Sequence, residues 1–432
     1  MKILVIGNGG REHALAWKLK QSPHIERIFC APGNAGTAEV GENVAISAND
    51  LGTLVRFAKE NRIDLIAVGP DNPLAAGIVD LFVAEKLRAF GPTKSAARIE
   101  ASKIFAKKLM RAQKIPTAEA RTFSDSNEAL RYCERVKFPV VIKADGLALG
   151  KGVIIAADAA SAQSVIYEMM KQGRFGDAGR RIVIEEFLHG TECSLHALVD
   201  GKNYLLLESA RDHKRALDGD QGPNTGGMGA FSPANNWNSK LQSQFETEIM
   251  RPLLYGLQRK SVMFRGLLYP GLMITSEGAR VLEFNCRFGD PETQALLPRM
   301  TSDLLPLLEA TIDGKLDSLE AGAIEWDTRA SVTVVLASAG YPGKYETGKL
   351  ISGLDDAAKL EDVQIFHAGT KRVNGEIMTA GGRVLAVTAL GSTIEAARER
   401  AYEAICRIHC ENCYYRRDIA LSPVTDNIGK LQ

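Results

Sequence analysis

The first hundred residues alternate short apolar runs with helical patterns, and this alternation restricts the fold more than any other feature. Strands are predicted at residues 3–6, 27–30 and 65–68, with helices beginning near Glu12 and covering 51–59. This rhythm is typical of parallel βαβ units, in which helices cover both faces of one sheet. Each strand is followed by a glycine-bearing loop, and ligands bind at the carboxyl ends of such strands. We therefore expect an amino-terminal parallel α/β domain with a ligand-binding edge.

Length and composition limit the class of protein. A chain of 432 residues predicts about three domains. Its 45% hydrophobic and 24% charged content is that of an ordinary soluble globular protein. The net charge of +1 argues against a nucleic-acid partner. The sequence contains no signal-peptide core and no apolar run long enough for a bilayer, so no membrane partner is expected. Seven scattered cysteines fit a reducing cytoplasm better than a disulfide framework.

The first glycine loop, residues 7–10, invites a dinucleotide-binding interpretation because Gly-x-Gly lets a backbone approach a pyrophosphate. Two departures argue against NAD or FAD. Glu12 stands where that fingerprint requires its third glycine, and the second strand ends at Cys30 and Ala31 without an acid for a ribose. The loop can still bind a single phosphate through free backbone N–H groups at the helix start. A tight turn without a ligand is the alternative.

A second glycine loop lies in a predicted β-hairpin whose strands cover 138–143 and 153–157. The loop, residues 145–152, is suited to folding over triphosphate oxygens. Lys143 supplies a fixed cation and Lys151 a mobile one. The segment is not a P-loop, because no Ser or Thr follows Lys151 and no helix begins there.

The segment 281–293 places polar side chains of three kinds on one side of a strand end. Side chains alternate in an extended chain, so Glu283, Asn285 and Arg287 point one way. Glutamate and asparagine offer the hard oxygen ligands that Mg²⁺ accepts, and arginine offers a planar fork for phosphate or carboxylate. The alternative is a half-buried strand that runs into an Asp-Pro turn.

Other patterns complete the outline. One helix is predicted over 95–113, with Lys103 and Lys107 one turn apart, and another over 394–408. The polar stretch 211–229 is predicted to be an ordered functional loop.

The one cysteine cluster has two interpretations. Cys406, His409, Cys410 and Cys413 are close in sequence and suggest a zinc site, although structural zinc usually takes two separated pairs of ligands. The spacing of the three cysteines also describes one face of a helix.

Taken together, these motifs make the chain resemble the ATP-grasp superfamily and, within it, the glycinamide ribonucleotide synthetase family. The resemblance runs from end to end and rests on motifs in this order: GNGGREHA (7–14), PGNAGT (32–37), VIKADG (141–146), GKGV (150–153), EEFL (185–188), RDHKR (211–215), GPNTGGMG (222–229) and EFNCRFGDPET (283–293).

The resemblance implies an α/β fold of four parts. These are an amino-terminal parallel α/β (pre-ATP-grasp) domain at 1–103, a split central α+β ATP-grasp domain at 104–122 and 191–328, a mobile lid at 123–190 and a carboxyl-terminal mixed α/β domain at 329–432.

The resemblance also implies site residues. ATP would lie between the lid and the central domain, in contact with Lys103, Lys143, Gly150, Lys151, Gly152, Glu185, Glu186, Phe187, Leu188 and Glu192. Glu283 and Asn285 would carry Mg²⁺ or Mn²⁺. Arg287, Asp290 and Lys143 are the expected catalytic residues. Substrates would contact Gly9, Gly10, Arg11, Asn34, Thr37, Asp212, Asn224, Thr225, Gly226, Gly227 and Met228, with His213 and Lys214 in the same neighbourhood. For His213, a hydrogen bond within the loop is the favoured role, not that of a base.

The implied activity is the ATP-dependent ligation of glycine to 5-phosphoribosylamine through a glycyl phosphate intermediate, in de novo purine biosynthesis. We expect a cytoplasmic monomer. Two alternatives remain open: another ATP-grasp carboxylate–amine ligase, and a nucleotide-binding protein without turnover. The first would lack the GNGGREH and NTGGMG motifs, and the second would have lost Glu283, Asn285 or Lys143.

Overall fold

The computed structural model describes residues 1–148, 152–320 and 322–421. Within these ranges, no helix combines the length and the apolar character that crossing a bilayer requires.

Short strands and helices alternate through the amino-terminal part, in the order β1 (Lys2–Gly7), α1 (Gly10–Lys20), β2 (Arg27–Pro32), α2 (Thr37–Val40), β3 (Glu42–Asn43), α3 (Leu51–Glu60), β4 (Leu65–Val68), α4 (Asp71–Ala76), α5 (Ile78–Ala84), β5 (Ala89–Phe90) and α6 (Lys94–Ala101). The strands form one sheet in the order β3–β2–β1–β4–β5, and every pairing is parallel. Leu4 and Val5 of β1 are fully buried, because helices cover both faces of the sheet. The predicted parallel α/β architecture is confirmed.

A small antiparallel sheet with its own core follows. Its elements, with the helix that precedes them, are α7 (Lys103–Ala112), β6 (Ala120–Phe123), α8 (Ser126–Cys133), β7 (Val140–Ala144), β8 (Val153–Ala156), α9 (Ala159–Met170) and β9 (Ile182–Glu186). The strand order is β6–β9–β7–β8, and Ile142, Ile166 and Ile184 lie in its core. The hairpin β7–β8 pairs Lys143 with Val153, as the sequence predicts.

The single helix predicted over 95–113 is wrong, because the structure breaks it at Ser102. The backbone of Ser102 is extended (φ −138°, ψ 107°), and its hydroxyl accepts a hydrogen bond from Phe105 N at 3.1 Å. Asp145 also accepts from Ser102 Oγ and from Ile104 N, at 2.9 and 3.0 Å. A side chain from the β7–β8 loop thus helps to cap α7, and this contact spans 43 residues, which a local pattern does not reveal.

The central part contains the elements β10 (Thr191–Ser194), β11 (Ala197–Asp200), β12 (Tyr204–Leu206), β13 (Arg211–Asp212), β14 (Arg215–Leu217), β15 (Gln221–Asn224), β16 (Gly229–Ser232), α10 (Ser239–Gln244), a π-helical turn (Phe245–Met250), α11 (Arg251–Arg259), β17 (Arg265–Thr275), β18 (Gly278–Asn285), α12 (Glu292–Leu296) and α13 (Leu304–Asp313). Strand β17 pairs with β10, β11 and β18, all antiparallel. The polar stretch 211–229 is ordered, as predicted, and contains the hairpin β14–β15.

The carboxyl-terminal elements are β19 (Ala330–Ser338), β20 (Leu350–Ser352), α14 (Leu354–Ala358), β21 (Val363–His367), β22 (Thr370–Val373), β23 (Glu376–Thr379), β24 (Arg383–Gly391), α15 (Ile394–Ile405), β25 (His409–Cys410) and β26 (Cys413–Tyr414). They form two sheets, ordered β13–β16–β19–β24–β21, with β26 also on β19, and β22–β23–β20–β25. Strands β13 and β16 come from the polar stretch, so this segment is built into the carboxyl-terminal sheet.

The cysteine cluster does not follow either prediction. Helix α15 ends at Ile405, and Cys410 and Cys413 lie in short strands, so the three cysteines do not share a helix face. Cys410 and Cys413 form a disulfide. Across the described ranges, no group of three or more His, Cys, Asp or Glu side chains is arranged to hold a metal.

Candidate active site

A cavity of about 760 Å³ lies where the strand ends, the polar stretch and the β7–β8 hairpin of the predicted lid (here called the lid hairpin) meet. Its lining includes most of the predicted site residues: Arg11, Lys103, Lys143, Gly152, Glu185, Glu186, Phe187, Leu188, Glu192, Asp212, Asn224, Thr225, Gly226, Glu283, Asn285, Arg287 and Asp290. Gly150 and Lys151 lie outside the described residues. Gly9, Gly10, Asn34, Thr37, Gly227 and Met228 are not among the lining residues.

The end of β18 forms one wall of this cavity. Phe284 and Cys286 pack in a hydrophobic core at 2% and 1% exposure. Glu283, Asn285 and Arg287 line the cavity, and part of Phe284 borders it as well. Burial alone would raise the pKa of Glu283, but nearby lysines and Arg287 outweigh burial and place this pKa below its usual value. Glu283 is therefore ionised at neutral pH.

Arg287 is held in place by an acid that the sequence reading missed. Its Nη2 atom lies 3.4 Å from Glu100 Oε1 and donates to Asn285 Oδ1 at 3.3 Å. The other oxygen of Glu100 accepts from Cys286 N at 2.6 Å. The guanidinium also lies 6.0 Å from the ring centroid of Tyr269. Burial acts to lower the pKa of Arg287, but Glu100 and other acids more than offset it, so this arginine stays charged.

Two lysines share one buried carboxylate on the facing wall. Lys143 Nζ lies 3.0 Å from Glu185 Oε2, and Lys107 Nζ lies 3.2 Å from Glu185 Oε1. Lys143 also donates to Leu282 O at 2.9 Å, one residue before Glu283. Burial lowers the pKa of Lys107 to about 8. One acid between two lysines leaves an excess of positive charge beside the cavity, which suits an anionic ligand.

Lys103, at the start of α7, adds a further cation to this wall. It donates to Gly146 O at 3.2 Å, and Gly146 belongs to the glycine loop that follows β7. Gly146 thus lies beside the amino-terminal end of α7. Asp145 and Ser102 accept from the N–H groups of Ile104 and Phe105 there, so the Lys103 side chain is the group at this point that suits an anion.

The end of β9 supplies the edge of the cavity that Glu186, Phe187 and Leu188 line. Glu186 N donates to Glu119 O at 3.0 Å, while Glu192 further along accepts from Lys214 Nζ at 2.6 Å. Burial acts to lower the pKa of Lys214, but Asp212 and Glu192 raise it well above its usual value.

A buried polar group lies deeper, around Asp212. Burial raises the pKa of Asp212 to about 8, and its Oδ1 atom has no hydrogen-bond partner among the described residues. Tyr269, which the sequence reading also missed, donates to Glu292 and lies 3.0 Å from Ser194 Oγ. Its ring stacks on His196 with centroids 4.4 Å apart. Asp212 therefore offers a buried acceptor to a ligand in the cavity.

Asp290 is fixed by the carboxyl-terminal sheet. Arg383 Nη2 lies 3.0 Å from Asp290 Oδ2, and Gln294 donates to Asp290 Oδ1 at 2.7 Å. The same arginine donates to Gly226 O at 2.8 Å and to Gly227 O at 3.3 Å. Burial would raise the pKa of Asp290, but Arg383 and other arginines lower it below the usual value.

The residues of the motif at 224–228 differ in their access to the cavity. Asn224, Thr225 and Gly226 line it, and Gly227 and Met228 do not. Asn224 donates to Val153 O in β8 at 3.5 Å, and Thr225 Oγ1 donates to Lys214 O at 2.8 Å. Gly227 has φ +115°, and a Cβ there would lie 2.4 Å from Pro291 Cδ, so glycine is required. Met228 is fully buried, and its side chain belongs to the core of the carboxyl-terminal part.

The amino-terminal loops approach the cavity through Arg11. Glu12 accepts from Gly9 N and from Arg11 Nε, each at 2.6 Å, and a Cβ on Gly69 would lie 2.0 Å from Glu12 Oε1. The glutamate that replaces the third glycine of a dinucleotide fingerprint therefore fills the space between strand ends. Arg11 also donates to Phe288 O at 3.2 Å, one residue after Arg287.

Asn34 and Thr37 use their polar groups within their own loop. Asn34 Oδ1 accepts from Thr37 N at 3.0 Å, and its Nδ2 donates to Asn8 O at 3.0 Å and to His367 O at 2.7 Å. Thr37 is fully buried. Both side chains fix the loop beside Gly9 and Gly10, so a ligand there would meet backbone.

Comparisons with known proteins are consistent from end to end. Three models of the phosphoribosylglycinamide synthetase family match: the N domain at 1–100, the ATP-grasp (A) domain at 101–293 and the C domain at 331–422. A phosphoribosylamine–glycine ligase from Allochromatium vinosum is 51% identical over 422 residues, 97% of this chain and 98% of that relative.

Solved structures agree. A crystal structure of phosphoribosylamine–glycine ligase from Thermotoga maritima has a TM-score of 0.82 at 34% identity, covering 97% of this chain and all of that one. The biotin carboxylase domain of 2-oxoglutarate carboxylase from Hydrogenobacter thermophilus, in complex with MgADP and bicarbonate, has a TM-score of 0.74. It covers 96% of this chain and 91% of that one, and at 14% identity it shows the shared fold alone.

The family models and the relatives favour the ligase over both alternatives, the other ATP-grasp ligases and a nucleotide-binding protein without turnover. The chain therefore belongs to the phosphoribosylglycinamide synthetase family, and it catalyses the ATP-dependent ligation of glycine to 5-phosphoribosylamine in purine biosynthesis.

Proposed function

We propose that the cavity between the lid hairpin and β18 is the site of this ligation, and that the reaction passes through glycyl phosphate. A carboxylate does not react with an amine at neutral pH, so glycine must first be activated. A glycine carboxylate oxygen attacks the γ-phosphorus of ATP, and the bond to ADP breaks. The amine of phosphoribosylamine then attacks the acyl carbon, the C–O bond to phosphate breaks, and the amine loses a proton as the amide forms.

ATP is assigned to the wall that carries the cations. Lys103 and Lys143, with Gly152 and the glycine loop, would hold the phosphates, and Lys107 supports Lys143 through the shared Glu185. The backbone of 186–188 would meet the adenine edge, and Glu192 would take the ribose hydroxyls. The positive charge excess on this wall supports the assignment.

Glu283 and Asn285 would hold a divalent cation, Mg²⁺ or Mn²⁺. The fit rests on the ionised state of Glu283 and on the two oxygen donors at one strand end. A site with only two protein ligands is what Mg²⁺ uses when substrate phosphates and waters complete its shell. When bound, the cation would neutralise phosphate charge as Lewis acids do. The Hydrogenobacter domain was crystallised with MgADP, and by analogy we extend that ligand type to this chain.

Arg287 is proposed to stabilise the phosphoryl group in transfer. It is charged, partly exposed to the cavity and fixed by Glu100, so it needs little reorganisation as charge develops. Its position beside Glu283 and Asn285 supports this role.

The remaining lining is assigned to glycine and the amine. Asp290 supplies a carboxylate and Asp212 a buried carboxyl group whose raised pKa favours the protonated form, and Asn224, Thr225 and Gly226 supply backbone and side-chain polar groups. The 5′-phosphate of phosphoribosylamine is assigned to Arg11 and to the backbone around Gly9 and Gly10, with Asn34 and Thr37 holding the loop. Because Gly9 N donates to Glu12, a phosphate there would compete with that carboxylate for the N–H group. The proximity of Gly9 to Asp290 supports a substrate that extends from this loop toward the cavity, because a Cβ on Gly9 would lie 3.3 Å from Asp290 Oδ2.

Exclusion of water is the task proposed for the lid. Glycyl phosphate hydrolyses readily, and a closed lid would protect it until the amine attacks. The proposed division of the chain is a lid at 123–190 that moves on the split domain at 104–122 and 191–328, between terminal parts 1–103 and 329–432. The cytoplasmic location and the monomeric state stay predictions.

The observation that carries the proposal is that Glu283, Asn285 and Arg287 face the same cavity as Lys143 and Lys103. The test is phosphate release from ATP with glycine and freshly made phosphoribosylamine, each omitted in turn. We expect release to require both. Rapid release without the amine, or none with all three substrates, would reject the mechanism.

A further inference from the structure

The carboxyl-terminal segment Arg416–Ala420, here called the latch, contacts the hairpin β14–β15 of the polar stretch. It lies some 200 residues from that hairpin in sequence, with separations of 199 and 201 residues between bonded partners. None of the motifs that carry the resemblance includes it.

Arg416 is the centre of the latch and is 2% exposed. Its guanidinium donates to both oxygens of Asp418 at 2.7 Å, to Asp220 Oδ1 at 2.8 Å and to Arg215 O at 3.1 Å. A buried guanidinium with two carboxylates and a carbonyl is expensive to desolvate unless all its partners are present, so the arrangement fixes the hairpin tightly.

Backbone bonds on both sides extend the contact. Arg417 N donates to Asp218 Oδ1 at 2.7 Å, and Gly219 N donates to Asp418 Oδ2 at 2.8 Å. These bonds hold the hairpin tip, Asp218–Asp220. The tip is therefore tied to the latch by side chains and backbone in both directions.

The end of the latch reaches the strip that carries the substrate residues. Ala420 N donates to His213 Nε2 at 3.1 Å, which requires a neutral imidazole at that nitrogen. Burial lowers the pKa of His213 to about 4, so the ring is neutral at physiological pH. The sequence favoured a hydrogen bond within the loop for His213, whereas its ring accepts this bond from the latch, 207 residues away. Ala420 itself has φ +60°, a left-handed conformation that the chain adopts to make the turn.

The hairpin in turn borders the cavity. Arg215 and Asp220 line it, and Asn224 at the other end of the hairpin donates to Val153 O in the lid. Thr225, next in sequence, holds Lys214 O through both its N–H and its hydroxyl, each at 2.8 Å. The hairpin therefore lies between the latch on one side and the lid and the substrate residues on the other.

We propose that the latch is a positioning element for the ligation: it holds the β14–β15 hairpin so that the hairpin and the lid together close the cavity over the acyl phosphate. Arg416 is a positioning residue in this account, since it acts through Asp220 and Arg215. The inference rests on the proposed function of the cavity.

A specific defect follows from loosening the latch. Water would reach glycyl phosphate, attack its acyl carbon and release phosphate and free glycine, so ATP would be consumed without ligation. A residue that served stability alone would lower the amount of active enzyme without changing the ratio of phosphate released to product formed.

The test compares Arg416→Met with Arg417→Met in the full-length enzyme. Arg417 is the adjacent arginine, is exposed and takes part in the latch through its backbone, so the same substitution there serves as the control. Phosphate and glycinamide ribonucleotide are measured in the same reaction. We expect the phosphate-to-product ratio of Arg416→Met to rise to at least ~3 times that of wild type, with kcat for product lower by roughly 10-fold, while Arg417→Met keeps the wild-type ratio.

A milder variant covers the case in which Arg416→Met does not fold. Asp220→Asn changes an exposed partner, whose side chain is 62% exposed, and removes one of the ion pairs of Arg416. A raised ratio in Asp220→Asn supports the latch, and a wild-type ratio in every folded variant of Arg416 and Asp220 overturns it. If wild-type enzyme fails to make product from all three substrates, the proposed function fails instead, so the two failures are distinguishable.

Discussion

Arg383 forms an ion pair with Asp290, 3.0 Å between Nη2 and Oδ2, and this pair ties the carboxyl-terminal sheet to the loop that follows β18. The same guanidinium holds the carbonyls of Asp290 and Gly226. The carboxyl-terminal part thus contributes directly to the geometry of the cavity. No sequence motif near Arg383 indicated this contribution.

The first prediction concerns this arginine. Arg383→Met removes the charge that contributes most to the low pKa of Asp290, so that pKa should rise. Because a carboxylate with a depressed pKa is ionised until the pH falls through that value, the acidic limb of kcat/KM should move to higher pH. We expect kcat/KM at pH 7 to fall by roughly 10- to 100-fold, because a charge-assisted hydrogen bond is lost. Arg400→Met, an exposed change, is the control. An unmoved acidic limb with near wild-type kcat/KM would contradict the role of the pair.

The second prediction tests the assignment of the amino-terminal loops. Arg11→Ala should raise the KM for phosphoribosylamine by roughly 10- to 100-fold and leave the KM for ATP nearly unchanged, because a guanidinium bond to an anionic group is lost. Initial rates with each substrate varied in turn provide the measurement, with Arg27→Ala at an exposed position as the control. If the KM values for both substrates changed equally, the assignment of the 5′-phosphate of phosphoribosylamine to this loop would be wrong.

The third prediction concerns Glu185 between its two lysines. Glu185→Gln leaves Lys107 and Lys143 buried without their shared counter-ion, so it should lower the free energy of unfolding by about 3 kcal/mol or more. Phosphate groups of a bound ATP analogue would replace the lost charge, so the ligand should raise the thermal midpoint of this variant more than that of wild type. Glu128→Gln, an exposed change in the lid, is the control. If the analogue shifts the midpoint of the variant less than that of wild type, the phosphates do not lie at these lysines.

The fourth prediction is a pH dependence of stability from buried histidines. Burial lowers the pKa of His13 and His196 to about 3, and that of His213 and His367 to about 4. Because the unfolded chain binds these protons near pH 6.5 and the folded protein does not, stability is fully present above about pH 6.5 and is lost as the pH falls toward 4.

Urea denaturation at a series of pH values measures this loss. Each such histidine contributes a slope of up to about 1.4 kcal/mol per pH unit in that window. His213→Gln should reduce the slope, although it also weakens the bond to Ala420, whereas His24→Gln at an exposed position should not. A slope identical in wild type and His213→Gln would show that His213 is not buried as the neutral form.

The sequence could predict the features that depend on local order. Alternation along a strand was enough to predict that Glu283 and Asn285 share one face, and the apolar runs were enough to predict the parallel sheet. Arg287 also lines the cavity, but it lies in the bend after β18, where alternation no longer applies. The same local reasoning failed where a distant residue decides the outcome. Asp145 and Ser102 split a continuous helical pattern, and the strands at Cys410 and Cys413 replace a predicted helix face because they pair with β20 and β19.

The candidate site likewise combines residues that local sequence patterns predict with residues that only long-range contacts bring into place. Glu100, Tyr269 and Arg383 complete the cavity through contacts across long stretches of chain, such as the 186 residues between Glu100 and Cys286. Glutamate, tyrosine and arginine are all common outside active sites, and none of these three residues belongs to one of the sequence motifs. The packing of helix α6 brings Glu100 to Arg287, and the packing of the sheets brings Tyr269 and Arg383 to Arg287 and Asp290.

The central claim is that the strand end at Glu283 and Asn285 serves phosphoryl transfer in this cavity, and steady-state kinetics of Glu283→Gln test it most directly. Glu277→Gln, an exposed acid on the same β17–β18 hairpin, is the matched control. We predict that kcat for product falls by at least ~100-fold in Glu283→Gln with an unchanged thermal midpoint, since electrostatic stabilisation of the transferring group is lost, and that Glu277→Gln behaves as wild type. A kcat within about twofold of wild type for correctly folded Glu283→Gln would contradict the account.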